Sequence, residues 1–440
     1  MRARFLIASL LALSAAMPAA AETLDEAMTS AVDGNPSIAA SRQRLRATRE
    51  VLPQAWSEAL PQVSLSAGAT SSSRDGDQPT AVGESETWTT AANASQLLFG
   101  GGRVLATTRA ARAQIAGAIA DYDFTLQTLL LDVTRAYADV RQQMAVVSAR
   151  ETTVNNLTRL LEYAQAQFDA GVVTRTDVAQ SQARLAQART QLVQAQGALA
   201  AAVQAYTRLV GHPPSDLQAP PQAQNLPTDL AAALDTAGDH SPVLIGAAAA
   251  ASQADANVDV AASAGRLRAT LEAGLNEGGD LQNDDNDTSG DSVGVRLTVP
   301  LFQGGAVRSR TRQQRALRSA ANLDVAQAQR TVQEGVTNAW TGLASARAAV
   351  DSAREQVQAA ELAYEGVRLE QETGLRSTVE VLDQEQDLLI ARLALAQAER
   401  DLVVAERLLL QQVGILAPPG IEPGGNDGRD RHDDLLRGRN

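Results

Sequence analysis

Thr373-Gly374-Leu375-Arg376-Ser377-Thr378-Val379-Glu380-Val381-Leu382-Asp383 reads as a short turn followed by the first turns of a helix. Glu380 and Asp383 stand three positions apart, so they share one helix face and project together. Taken alone, two neighbouring acids describe a solvated surface as readily as a site. The rest of the chain decides between them, because it repeats itself around this turn.

Ahead of the turn an alternating four-and-three ladder carries Val325, Val332, Val336, Ala339, Leu343, Ala346, Val350, Ala353, Val357, Ala360, Tyr364 and Val367. Behind it a second ladder carries Val381, Gln384, Leu388, Ala391, Leu395, Ala398, Leu402, Ala405 and Leu409. The same pair brackets Gly171, from Tyr122 to Phe168 with only Gln143 and Arg150 as polar rungs, and from Val178 to Leu209. Sustained heptads predict long coiled-coil helices, and the alternation of large residues with alanine lets two of them approach closely. One constant shift separates Phe99 from Phe302, Gly171 from Gly374, Val178 from Val381 and Gly211 from Gly414. The chain is therefore an internal duplication, aligned without a gap across its long helices.

Working further outward, each repeat opens on an Xaa-Pro helix start, Asn35-Pro36 or Ser241-Pro242. The first of these helices is expected to run to about Ala59, before Pro61. The period then changes to two. Val63, Leu65, Ala67 and Ala69 alternate with Ser64, Ser66, Gly68 and Thr70, and a second strand runs from Thr87 to Phe99. In the second repeat Leu267, Leu271 and Leu275 alternate with Arg268, Thr270, Glu272 and Asn276, and Val293, Val295, Leu297 and Val299 make the fourth strand. The predicted organisation is an export signal over 1–21, a first repeat over 22–217 (hairpin 62–99, long helices 102–170 and 176–211) and a Pro-rich connecting segment over 218–240. The second repeat covers 241–416 (hairpin 267–301, long helices 305–373 and 378–414), and a disordered tail covers 417–440.

The composition of the 440 residues excludes much chemistry. There is no cysteine and no lysine, and the histidines are His212, His240 and His432, far apart in the sequence. Disulfides, thiolate nucleophiles, a lipid-bearing cysteine, a P-loop and Schiff-base catalysis all lack their residue. No Gly-x-Ser-x-Gly elbow or His-Glu-x-x-His pair occurs, and an enzyme is not expected. No cofactor or metal site is implied: the Asp284-Asp285-Asn286-Asp287 run lacks EF-hand spacing and reads as a solvated loop. A net charge of −13 argues against nucleic acid. Arg2 and Arg4, the apolar run Phe5–Ala16 and Ala19-Ala20-Ala21 form a secretory signal, too short in its apolar part to span a bilayer.

A helix of about 69 residues reaches roughly 100 Å, a length a globular domain does not need. A soluble coiled-coil rod would leave four alternating strands as unpaired edges. Their alternation of aliphatic with polar residues suits a membrane barrel, but four strands are too few to close one around water, so the chain is expected to oligomerise into a ring.

These features resemble the TolC-like outer-membrane channels of tripartite efflux and type I secretion systems. The resemblance covers essentially the whole mature chain to about Gly414. It rests on the duplicated layout, Asn35-Pro36, the Leu97-Leu98-Phe99-Gly100-Gly101-Gly102 and Leu301-Phe302-Gln303-Gly304-Gly305 junctions, and the two glycine turns. It implies a mainly α fold with a β-barrel part: long antiparallel coiled-coil helices form an α-barrel, and four transmembrane strands per chain close a twelve-stranded barrel in a homotrimer. It further implies an exit duct in outer-membrane lipid with a periplasmic extension. Its partners would be a periplasmic adaptor protein and an inner-membrane ABC transporter or proton-driven pump. A periplasmic adaptor or a structural coiled-coil protein without a channel is the alternative.

The same resemblance assigns residues. Glu380 and Asp383 match the acids that line the periplasmic constriction, with Glu in place of the usual first Asp. In the first repeat Asp177 matches Glu380 but Gln180 matches Asp383, so only the second copy carries the pair. Arg376 and Asp177 match the gate latch, whose usual tyrosine is here Gln371. Gly171, Val172, Gly374 and Leu375 match the adaptor-contact tips, although glycine at a helix reversal is also plain turn chemistry. Phe99, Gly100, Gly101, Phe302, Gly304 and Gly305 are the strand-to-helix junctions.

Overall fold

Each half of the chain spells out the same series of elements. In the computed structural model, which describes residues 21–74, 83–281 and 287–417, the first half contains α1 (Leu24–Gly34), α2 (Pro36–Arg49), α3 (Val51–Ser57), β1 (Gln62–Arg74), β2 (Gly83–Phe99), α4 (Arg103–Asp169) and α5 (Arg175–Val210). The second half contains α6 (Leu230–His240), α7 (Pro242–Ser263), β3 (Arg268–Asp280), β4 (Thr288–Thr298), α8 (Ala306–Glu372) and α9 (Thr378–Val413). The export signal up to Ala20, the acidic run Asp284-Asp285-Asn286 and the tail from Pro418 lie outside the described residues.

The duplication holds to the residue: α4 and α8 each have 67 residues, and α5 and α9 each have 36. It also reaches further than the heptads reveal. The connecting segment, read as irregular, contains α6, which matches α1 at 11 residues and likewise stops one residue before an Xaa-Pro pair. Asp229 caps α6 by accepting from the Ala232 N–H at 2.8 Å, and Ala233 and Ala237 are buried. The helix expected over 36–59 is instead two, α2 and α3, broken at Glu50. Pro53 lacks the N–H that would have bonded back to Arg49, so the ladder cannot run through.

Two units make up the chain. One consists of residues 40–124 and 238–333 and holds the sheet, with strand order β1-β2-β3-β4, antiparallel throughout. The register decides its character. Leu65 faces Ala92, which faces Leu275; Val63 faces Ala94, which faces Ala273, which faces Val293. Because side chains alternate across a pleated sheet, these residues form one apolar face through all four strands. Ser64, Ser66, Asn93, Glu272, Gly274 and Arg296 take the other, where Arg296 makes a two-pronged bond to Glu272 at 2.7 and 2.8 Å. The apolar face is bare: Val63 is 77% exposed and Val293 79%. Each such aliphatic side chain left in water forgoes about 1.5–3 kcal/mol, which lipid contact would restore.

The other described unit consists of residues 21–39, 125–237 and 334–417. Here the chain start is fixed on a parallel bridge between Glu22 and Leu217. The buried Glu22 carboxylate accepts from Tyr206 Oη and from the Ser215 N–H at 3.1 Å, while Tyr137 Oη donates to the Glu22 and Gln218 carbonyls, 2.8 Å each. Tyr206 and Tyr137 are fully buried. Towards the glycine turns, α9 packs on α4 and α5: Leu382 sits with Leu157, Leu185 and Ala188, backed by Val154, Leu160 and Leu161.

Candidate functional site

The two glycine turns are built alike. Gly171 and Gly374 take φ of 75° and 78°, a left-handed conformation that costs glycine little and other residues more. At the first turn the Val172 N–H donates to the Gln167 carbonyl and the Gly171 N–H to Phe168, both at 2.9 Å. At the second the Leu375 N–H donates to Glu370 and the Gly374 N–H to Gln371, again at 2.9 Å. This is the Schellman termination, which satisfies the last helical carbonyls. Its usual companion is an apolar residue folded back on the helix, yet Val172 is 71% exposed and Leu375 77%.

The helices that follow start in matching capping boxes. Thr174 accepts from the Asp177 N–H at 3.3 Å, and Asp177 accepts from the Thr174 N–H at 2.9 Å. Ser377 accepts from the Glu380 N–H at 3.4 Å, and Glu380 accepts from the Ser377 N–H at 2.9 Å. The Thr174 amide holds the Asp177 carboxyl below its ordinary range. Glu380 goes further, down to about 2, because the Ser377 amide and then the Arg376 guanidinium favour its charged form.

Arg376 joins Glu380 to the preceding helix, with Nη1 2.8 Å from Glu380 and Nε 2.8 Å from Glu370. Two of the three residues assigned to the latch are thus each engaged in their own turn, Arg376 by Glu370 and Glu380 and Asp177 by Thr174. Gln371 is buried and donates to Thr378 Oγ1 at 3.2 Å, tying the end of α8 to the start of α9. Asp383 points to α5 and pairs with Arg184 at 3.2 Å. At the strand-to-helix junctions, Gly304 and Gly305 (φ 58° and 80°) match Gly101 and Gly102 (φ 63° and 88°). Gly102 thus joins the assigned Gly100 and Gly101 at the junction between β2 and α4. Phe99 and Phe302 stand exposed beside them.

Two further residues escaped the sequence reading. Arg184 lies on the polar side of the first-repeat ladder and nothing in its spacing ties it to Asp383. Glu385 is 2% exposed and accepts from Asn156 Nδ2 at 3.0 Å; burial pushes its carboxyl above the ordinary value, while bonds from Thr153, Asn156 and Tyr364 pull the other way. A signal for Glu385 existed: Leu382, Glu385 and Leu389 share one helix face, and an acid in the middle of an apolar stripe is unusual. Arg184 and Glu385 line one cleft with Thr153, Gln187 and Gln191.

Comparison with known proteins shows the family of the chain. Residues 27–212 and 233–414 match the family of outer membrane efflux proteins, nearly the whole of both repeats. The chain belongs to that family. It is 31% identical over 399 residues to the outer membrane efflux protein BepC of Brucella suis biovar 1, covering 90% of this chain and 86% of BepC. It is 28% identical over 413 residues to the outer membrane protein TolC of Vibrio cholerae, covering 91% and 92% of the two chains. The crystal structure of the Campylobacter jejuni CmeC outer membrane channel shares its fold, with a TM-score of 0.80 at 16% identity over 93% of this chain and 89% of that one. This family member is an outer-membrane channel protein and not an enzyme, with the mainly helical, small-sheet fold of TolC-like channels. The alternative of an adaptor or a plain coiled-coil protein gives way to that membership.

Proposed function

We propose that three copies of the chain close one twelve-stranded barrel in the outer membrane and continue it as a helical duct through the periplasm, gated at the glycine turns. The observation that carries this reading is the sheet. It has an apolar row, Val63–Ala94–Ala273–Val293, that crosses all four strands, a polar face behind it, and edge strands β1 and β4 at its two sides. A lone sheet of this kind exposes both its edges and its apolar face; a ring of copies removes the edges and lipid covers the face.

In this assembly Glu380 and Asp383 lie at the constriction, Arg376, Asp177 and Gln371 restrain it, and opening is an untwisting of the α8–α9 coil. The exposed side chains of Val172 and Leu375, which do not fold back on their helices, are the contacts for a periplasmic adaptor. Phe99 and Phe302 mark the membrane boundary, where aromatic residues are favoured. The duct performs no chemistry, so an inner-membrane ABC transporter or proton-driven pump supplies the energy for efflux or type I secretion.

The test exploits the absence of native cysteine. Single cysteines introduced along β1 and β4 are combined pairwise and oxidised in outer-membrane fractions. Covalent dimers and trimers that run faster unheated than boiled, together with discrete currents in a planar bilayer, are expected. A monomer in detergent that passes no current overturns the reading.

A further inference from the structure

We propose that Arg184 is the built-in counter-charge of Asp383 and so sets the ion preference of the constriction, a proposal that rests on the constriction reading above. Family resemblance assigns acids to that place, and in this chain each acid faces an arginine of its own subunit. Asp383 lies 3.2 Å from Arg184 on α5, and Glu380 lies 2.8 Å from Arg376. The second pairing is local to the turn. The first joins two different helix pairs and is held in place from beneath: Leu382, next to Asp383, packs against Leu185, next to Arg184, in the cluster with Leu157 and Ala188. Two adjacent residues on α9 therefore meet two adjacent residues on α5, one pair apolar and one charged.

Such a pair matters for permeation even where it matters little for stability. An exposed ion pair contributes little to folding because water and salt screen it. An ion passing at several ångströms, however, responds to the sum of nearby charges, and a carboxylate beside a guanidinium presents a dipole in place of a full negative charge. The ring then attracts cations less than its count of acids implies. The first repeat contains no such arrangement, because the residues matching Asp383 and Arg184 are Gln180 and Asp387, a neutral amide and an acid.

The experiment records reversal potentials of the full-length protein in a planar bilayer under a KCl gradient, with Mg2+ block as a second readout. Arg184→Gln is expected to raise the cation-to-anion permeability ratio by a factor of about two to five and to lower the blocking Mg2+ concentration by a similar factor. Arg184→Lys keeps the wild-type values, and Arg184→Gln combined with Asp383→Asn, which again leaves the pair with no net charge, returns close to the wild-type reversal potential, whereas Asp383→Asn alone shifts it towards anions. If Asp383→Asn changes selectivity while Arg184→Gln leaves it untouched, the counter-charge is refuted and the constriction stands. If Arg184→Gln enlarges the conductance at an unchanged reversal potential, Arg184 only braces the helices and the proposal fails. Currents indifferent to both Glu380→Gln and Asp383→Asn overturn the constriction reading and this inference with it.

Discussion

After the first glycine the chain runs Val172-Val173-Thr174-Arg175-Thr176-Asp177-Val178-Ala179-Gln180, and after the second Leu375-Arg376-Ser377-Thr378-Val379-Glu380-Val381-Leu382-Asp383. The backbones of the two turns agree in φ, in terminating hydrogen bonds and in capping boxes. Their outer faces disagree. On α9 the stripe Leu382, Glu385, Leu389 is buried, whereas the matching Ala179, Gln182 and Ala186 on α5 are exposed. Duplication thus copied the turn and the heptad ladder, while the second face of each helix was free to diverge. In the second repeat that face became a dock onto the α4–α5 pair.

The largest expected effect breaks that dock. Leu382→Ala deletes the apolar contact with Leu157, Leu185 and Ala188 and should cost about 2–5 kcal/mol of local stability. Ala179→Ser, at the matching exposed position, should stay within about 0.5 kcal/mol. Thermal unfolding and hydrogen exchange of α9 against α5 measure the contrast; equal losses at both positions would mean that the two faces are not different after all.

The shared part of the comparison predicts equality. Gly171→Ala and Gly374→Ala each place a Cβ on a left-handed residue and should each cost about 1 kcal/mol, since neither glycine has a neighbouring atom that a Cβ would strike. Unequal melting shifts would show that one turn carries strain the other lacks.

How much of this was legible beforehand follows from which forces act locally. The heptads and strand alternation record burial on one face of an element, and they gave the long helices and all four strands. The apolar and polar faces of the sheet follow from the same alternation once the register is known. Breaks in regularity were harder. Pro53 splits α2 from α3, and α6 hides among prolines because it is short and alanine-rich. At the turns, glycine spacing and the acids at 380 and 383 could be read directly, while the Arg184–Asp383 pair could not. Such a contact joins residues almost half the chain apart, and only the packing of Leu382 fixes which arginine meets which acid.

A smaller effect concerns the restraints on opening. Arg376→Ser with Asp177→Ala removes one side-chain restraint at each turn, and single-channel conductance should rise. The shift in the open-to-closed ratio should be about five-fold or less, the scale of exposed ion pairs. Unchanged currents would leave both residues with capping and surface roles alone.

The subtlest prediction uses pH to separate the turns. Burial raises the Glu385 carboxyl above its ordinary 4.5, so the folded state holds this proton more tightly than the unfolded one. Its stabilising contribution is therefore full below 4.5 and lost as pH rises through the raised value, and docking of α9 should tighten on acidification from neutral. Glu380, at about 2, has the opposite sign: its capping contribution is present above 4.5 and is lost as pH falls from there towards 2. Hydrogen exchange over Val381–Leu389, corrected for intrinsic rates, should show protection rising and then falling as pH is lowered. Glu385→Gln should flatten the upper limb and keep the lower one. The start of α5, with Asp177 capping and Gln182 where α9 has Glu385, should show only the acid limb. An upper limb that survives in Glu385→Gln would assign it to another group and remove the buried acid from the difference between the two turns.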